Sequence, residues 1–293
     1  MQWHVLPPPL EPLICQTPAA WYAALCERVV NPTPFKVAVT GGRLAPTPGL
    51  AFLAGYQSAL RALWPGVPAG IGALCITERR SSQPKDFTCV WHNERLSGQK
   101  DFVLGGDAAS WLLVAARDQE RLVMLEVDGN APGLDFIALP SFGLLPDVPH
   151  AKVQFNAVQG RCLPGDGWQD YAKPFRTLED IYVLGAMLAW LLAQAAIYHW
   201  SEQLKSQLLR LLNSCSFLST QACTKATTHV ALAAVLEQFA TLRTALDQAF
   251  ESAPQTLREA WLRDQKVLDL AQGARQKRLL NAQRQLMDDL PAR

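Results

Sequence analysis

The chain has 293 residues, 49% of them hydrophobic and 18% charged, with 27 basic residues against 26 acidic. That length buries a substantial core, and a formal net charge of +1 gives no indication of the basic face that counterion-driven nucleic-acid binding requires. Seven cysteines without a Cys-x-x-Cys pair, and five scattered histidines (His4, His92, His150, His199, His229), give no metal-ligand spacing; they read as reduced thiols in a cytoplasmic protein. The N-terminus lacks a charged segment before an apolar run, so no signal peptide is expected.

Residues 1–70 form a short, Pro-rich helical region. "PAAWYAALCERVV" and "GLAFLAGYQSALRALWP" read as helices, the second ending at Pro65, with "FKVAVTGGRLAPTPG" between them as loop or a short extended piece. From 71 to about 165 the period changes. "ALCITE", "FTCVWHN", "FVLGG", "SWLLVAAR", "RLVMLEVDG", "LDFIALP" and "AKVQFNAVQG" are short apolar or alternating runs. Turns such as Ser97-Gly98 and Asp128-Gly129 separate them, as in an antiparallel barrel or sandwich.

Residues 166–293 are helical. Thr177, three residues before Asp180, marks a capping box at the head of the first long helix. Residues 181–200 carry no Lys, Arg, Asp or Glu, which suits either a membrane span or the central helix of a bundle. Further Leu- and Ala-rich helices follow, and an antiparallel bundle is their natural packing. Arg275, Lys277, Arg278 and Arg284 read as a solvated face of the last helix.

This order resembles the acyl-CoA dehydrogenase family, and particular stretches support it. "LCITERRSS" looks like the family's Thr-Glu-Pro-Gly stretch at the flavin, and "LSGQKDFVLGGDAASWLLVAAR" like its Asn-Gly-x-Lys-x-Trp-Ile-Thr-Asn strand pair. "VQFNAVQGRCLPGDGW" looks like the exit from the barrel, and "RDQKVLDLAQGA" like Arg-Asp-x-Lys-Ile and Tyr-Glu-Gly-Thr. The resemblance covers roughly residues 70–290. It implies an α+β fold with a short N-terminal helical region, an antiparallel β-barrel and a C-terminal antiparallel helix bundle. It also implies FAD between barrel and bundle, an acyl-CoA thioester as substrate, a homodimer, and residues 181–200 as buried core rather than a membrane span. In the family a carboxylate removes the α-proton while the β-hydrogen leaves as hydride to the flavin.

By the same resemblance Ile76, Thr77, Phe102 and Leu104 stand at the flavin. Thr77 is retained, Phe102 replaces a tryptophan, Leu104 replaces a threonine, and Arg79 and Arg80 occupy the Pro-Gly of a glycine-rich turn. Gln272 stands where the catalytic glutamate is expected, and a neutral amide does not accept the proton. Some branches carry that glutamate on the first long bundle helix, which makes Glu179 a relocated-base candidate; its alternative reading is a first-turn acid beside Thr177. The Arg-x-x-Phe-Gly and Gln-x-x-Gly-Gly stretches that hold the FAD adenine and pyrophosphate are not found. Two functions follow from this pattern: a divergent FAD-dependent acyl-CoA oxidoreductase, or a ligand- or partner-binding member without flavin chemistry.

Overall fold

The computed structural model describes residues 10–140 and 143–289, which leaves His4 outside. Its helices are α1 (Pro18–Arg28), α2 (Pro34–Leu44), α3 (Pro48–Leu63), α4 (Lys173–Ile197), α5 (Glu202–Leu218), α6 (Ala226–Thr241), α7 (Arg243–Ala249), α8 (Gln255–Asp264) and α9 (Gln272–Asp288). The strands are β1 (Gly72–Cys75), β2 (Val90–His92), β3 (Arg95–Leu104), β4 (Trp111–Asp118), β5 (Arg121–Asp128), β6 (Leu134–Ala138), β7 (His150–Gln159) and β8 (Arg161–Cys162). The chain divides into two units. One comprises Met1–Leu13, Val29–Ala59 and Thr177–Arg293, the other Ile14–Arg28 and Leu60–Arg176.

The helical unit is organised on α4. This helix is apolar on all sides; it is long and apolar enough to cross a membrane by length and composition, and 89% of its most apolar window is buried within the protein. Ile181, Leu184, Met187, Leu188, Trp190 and Leu191 are at most 1% exposed. The expected loop at 35–44 is instead helix α2. Thr33 caps it by accepting from the Lys36 N–H at 3.3 Å, and Pro34 supplies the fixed φ of a first helical position. Its glycines, unfavourable by propensity, are explained by packing: a Cβ added to Gly42 would lie 2.1 Å from the Ala186 carbonyl oxygen of α4. At the other end of the unit, Trp190, Phe250 and Trp261 stack with centroids 5.2–6.1 Å apart.

The expected capping box is not the start of α4. The helix begins earlier, after a π-helical turn over Gly167–Ala172 that Asp166 caps by accepting from the Trp168 and Gln169 N–H groups. Thr177 and Asp180 therefore lie inside the helix, 1% and 6% exposed.

In the sheet unit all seven apolar runs become strands, but the barrel does not close. The order is β6-β7-β3-β2-β4-β5-β8, with β1 added beside β4. Closure would need a ladder between β6 and β8, and among the described residues β8 is two residues long and pairs only with β5. Nor is the sheet purely antiparallel, since β1 and β2 both run parallel to β4. Leu112, Val114, Val123, Leu125, Val127, Val153 and Phe155 make its core, each fully buried Val or Leu contributing about 1.5–3 kcal/mol. Ser97-Gly98 is not a turn: Gly98 sits within β3 at φ +135°, at a register shift where a Cβ would meet Cys89 Sγ at 2.7 Å. The β2–β3 reversal is made by Asn93 and Glu94, both left-handed, as a two-residue hairpin turn requires.

Candidate functional site

The positions singled out in the sequence fall into two groups, one in each unit. In the sheet unit the group is built on a buried ion pair. Lys100, with no exposed side-chain surface, donates to Glu78 Oε1 at 2.5 Å, and Glu78 also accepts from the Thr88 N–H and hydroxyl and the Cys89 N–H. Burial pushes the Glu78 carboxyl up, but the Lys100 charge and the bonds from Lys100 and Thr88 outweigh it and leave its pKa below the ordinary value. Glu78 therefore serves as a fixed anion at the base of the turn that follows.

That turn, Glu78 to Ser81, is closed at both ends by backbone bonds of 2.8 Å, and its two central residues are Arg79 at φ +49° and Arg80 at φ +62°. Hairpin turns of this shape favour Asn-Gly, and a side chain held in the left-handed region costs about 1 kcal/mol or more. The surroundings over-determine it. Asp101 Oδ2 accepts the Arg80 N–H at 3.0 Å, and Ser81 Oγ donates to Asp86 at 2.6 Å. Burial would raise the Asp101 carboxyl, yet the Arg80 N–H, the Gln99 amide, the Lys152 charge and the Arg79 N–H together hold it below its usual value. Both guanidinium groups point to solvent, and neither pairs with an acid among the described residues.

Beside this turn, β3 bulges. Lys100 pairs with Val153 and Val103 with Ala151, so three residues are passed on one strand for two on the other. Lys100 and Val103 both face the core, while Asp101 and Phe102 both face outward, opposite Lys152. The Phe102 ring is 39% exposed and lies 4.7 Å from the His150 ring. Ile137, 45% exposed and paired with Lys152, continues the same outer face. Leu104 is buried at 6%, whereas the Thr77 and Ile76 carbonyls accept from the Asp101 N–H (2.8 Å) and Lys100 Nζ (3.3 Å).

In the helical unit the group centres on Asp180. Arg275 donates to Asp180 Oδ1 through Nε (2.9 Å) and Nη2 (2.6 Å), and to the Leu268 carbonyl through Nη1. Arg278 donates to Asp180 Oδ2 and, at 3.3 Å, to Thr177 Oγ1. The two arginines expected on a solvated face are only 18% and 17% exposed. Their spacing was a usable signal: Ala271, Arg275, Arg278 and Ala282 form one i, i+4, i+7, i+11 stripe, so arginines on the inward face required a buried acid. His229 completes the corner, 2.8 Å from the Cys223 carbonyl and 3.4 Å from Thr177 Oγ1. Burial, and secondarily the Arg278 charge, hold its pKa below the ordinary value despite the Cys223 carbonyl.

Gln272 is exposed as the first residue of α9 and donates to Asp269 Oδ1 at 3.2 Å. Glu179 is half-buried on α4 beside Asp180. The Asp180–Arg275 bond thus ties the turn of α4 that carries Glu179 to the first turn of α9, one turn beyond Gln272. No cluster of three or more metal-ligating side chains occurs among the described residues.

No family model matches the sequence, and no curated protein matches it either. Solved structures do. FkbI, for biosynthesis of the methoxymalonyl extender unit of the Fk520 polyketide, is 14% identical over 91% of this chain and 90% of its own, with a TM-score of 0.67. Butyryl-CoA dehydrogenase from Megasphaera elsdenii is 14% identical over 88% and 83%, with a TM-score of 0.64. Glutaryl-CoA dehydrogenase from Mycobacterium smegmatis in complex with FADH2 is 12% identical over 94% and 90%, with a TM-score of 0.58. The chain therefore has the acyl-CoA dehydrogenase fold, with an open eight-stranded sheet and a helical C-terminal region.

The sheet-side residues can be tested against a flavin dinucleotide. Phe102 offers a flat, accessible ring, whereas Leu104, which has no donor, is only 6% exposed. The turn N–H groups that could meet an anion are already given to Asp101, while its guanidinium groups remain available. The residues fit a planar ring with an attached anion, gripped by side chains rather than by a bare backbone turn.

Proposed function

We propose that the chain is a divergent acyl-CoA dehydrogenase-family protein that binds the family's ligands, a flavin dinucleotide and an acyl-CoA thioester, and has lost proton abstraction at position 272. The observation that carries this reading is Gln272 itself. An amide stands where the base is expected, and it is turned to its own helix start by the bond to Asp269. An amide side chain is neutral and cannot take a proton from a carbon acid at any working pH. The buried acid of the same corner is no substitute, because Asp180 is engaged on both oxygens by Arg275 and Arg278.

Phe102 would lie against the flavin ring, with Ile76, Thr77 and Leu104 beside it. When bound, the flavin supplies the capacity to accept hydride. A homodimer and a reducing, cytoplasmic setting complete the proposal, supported by the resemblance and by the scattered thiols.

One observation favours a second reading. Glu179 and Gln272, the two positions the resemblance gives to the same task, are tied to one corner of the helical unit through Asp180 and Arg275. If Glu179 carries the base, the protein is an active oxidoreductase. Reconstituting the purified protein with FAD and titrating it anaerobically with acyl-CoA of graded length separates the two. An unbleached flavin band supports loss of function, whereas bleaching that disappears in Glu179→Gln establishes the relocated base.

A further inference from the structure

We infer that α9 is an acid-released strap: His229 on α6 and Arg278 on α9 share one hydroxyl of α4, and a proton taken up by the His229 ring drives α9 off this corner while the rest of the helical unit stays folded. The strap is held by charge rather than by apolar burial. Of the 17 residues of α9 only Ala282 is buried, while Leu280 and Met287 are 48% and 72% exposed. Helix α5, of the same length, buries seven residues. The fastenings of α9 to α4 are polar, Arg275 and Arg278 on Asp180 and Arg278 on Thr177. An element with few buried apolar groups opens at low cost, independently of the core.

His229 sits at that fastening. Arg278 Nη1 lies 3.3 Å and His229 Nε2 3.4 Å from the same Thr177 oxygen, so guanidinium and ring meet across a single hydroxyl. The Cys223 carbonyl, 2.8 Å from Nε2, only accepts, which places the neutral ring's proton on Nε2 and leaves Nδ1 to take the second. Among the described residues no acid pairs with the ring. Helix α4 presents Thr177 and Asp180, whose two oxygens are already bonded by Arg275 and Arg278. Glu179 is turned roughly 100° around α4 from Asp180. The segment before α6 presents the Cys223 thiol, with the Tyr182 hydroxyl of α4 near it, and burial raises both above their ordinary values. Lys225, the residue before α6, is exposed. Burial keeps the His229 ring below its ordinary 6.5 against the pull of the Cys223 carbonyl, and the Arg278 charge adds to it. The neutral ring is therefore held better than the charged one, so the fastening is complete above 6.5 and weakens as pH falls below it. Two unit charges facing across one hydroxyl in a half-buried corner repel strongly enough to shift a local opening about tenfold.

The test is hydrogen–deuterium exchange of the full-length protein about one unit above and about one unit below pH 6.5, corrected for intrinsic exchange rates. Peptides of α9 are expected to lose protection about tenfold on the acid side while those of α5 keep theirs. His229→Gln, whose amide still donates to the Cys223 carbonyl and takes no proton, is expected to remove the difference. Equal α9 protection at both pH values in the wild type overturns the strap, as does the same acid loss in a folded His229→Gln. Loss of protection in α9 and α5 together also overturns it, since that is unfolding of the whole unit. If the variant does not fold, a proton-NMR titration of the His229 ring in the wild type decides. The opening of α9 must follow the midpoint of the ring, and an opening at a different pH overturns the proposal.

Discussion

The two corners that depart most from the acyl-CoA dehydrogenase pattern depart in opposite ways. In the sheet unit three replacements face outward, while Leu104 is buried: Arg79 and Arg80 stand exposed on a strained turn, and Phe102 lies on the outside of a bulge. In the helical unit the charges face inward, where Arg275 and Arg278 close on Asp180 and Gln272 is left at the surface making a local bond. The first arrangement leaves charge and aromatic surface available to a ligand. The second consumes charge in holding helices together. Departure from the pattern therefore has two structural outcomes, and under the proposed function they correspond to ligand binding in the sheet unit and loss of proton abstraction in the helical one.

The largest effect that would sharpen this contrast is at Lys100. Lys100→Met strands the buried Glu78 carboxylate and removes the support of the arginine turn. A loss of about 3–5 kcal/mol is expected in urea unfolding of the sheet unit. A loss under about 1 kcal/mol would show that the turn does not depend on the pair.

Asp180→Asn leaves Arg275 and Arg278 without their acid. Because both arginines keep some exposure, the expected cost is smaller, about 2 kcal/mol, read as a lower midpoint for the helical unit. An unchanged midpoint would break the description of this corner as a structural clamp.

Acid titration compares the units directly. His150 in one and His229 in the other are held below their ordinary 6.5, mainly by burial, so both units favour the neutral ring and begin to lose stability as pH falls below that value. Glu78 is held below its ordinary 4.5. Its contribution is complete above that pH and is lost as pH falls through the lower folded value, so the sheet unit gains an additional acid sensitivity there. Tryptophan fluorescence and circular dichroism followed from pH 7 to 3 would detect it, and Glu78→Gln should abolish that second phase. The smallest effect is that of Gln272→Glu. Repulsion from Asp269 three residues earlier should cost only about 0.5 kcal/mol, so that variant tests chemistry without disturbing the fold.

The sequence carried the strands well, because their apolar runs and polar breaks are local features, and all seven runs became strands. It did not carry α2, whose Val- and Gly-rich segment is helical because Thr33 caps it and Gly42 meets α4. The capping box failed because Thr177 and Asp180 have the right residue types at the right spacing but lie within a helix that Asp166 and a π turn had already started. Barrel closure depends on pairing between strands distant in sequence, which local periodicity does not encode; β8 proved too short to supply it. Of the candidate site, Phe102 and Gln272 were singled out by their alignment to a motif. The outward turn at Asp101 and Phe102 was not, since it arises from the pairing of β3 with β7. The Asp180 clamp joins residues about 95 positions apart, and only the stripe through Arg275 and Arg278 pointed to it.

The most direct test of the central claim is the anaerobic titration of the FAD-reconstituted protein with acyl-CoA, monitored in the visible flavin band. Retained ligand binding without bleaching, in the wild type and in Glu179→Gln alike, is the expected result. Rapid bleaching by any acyl-CoA in the wild type would contradict the account and return the protein to the active dehydrogenases.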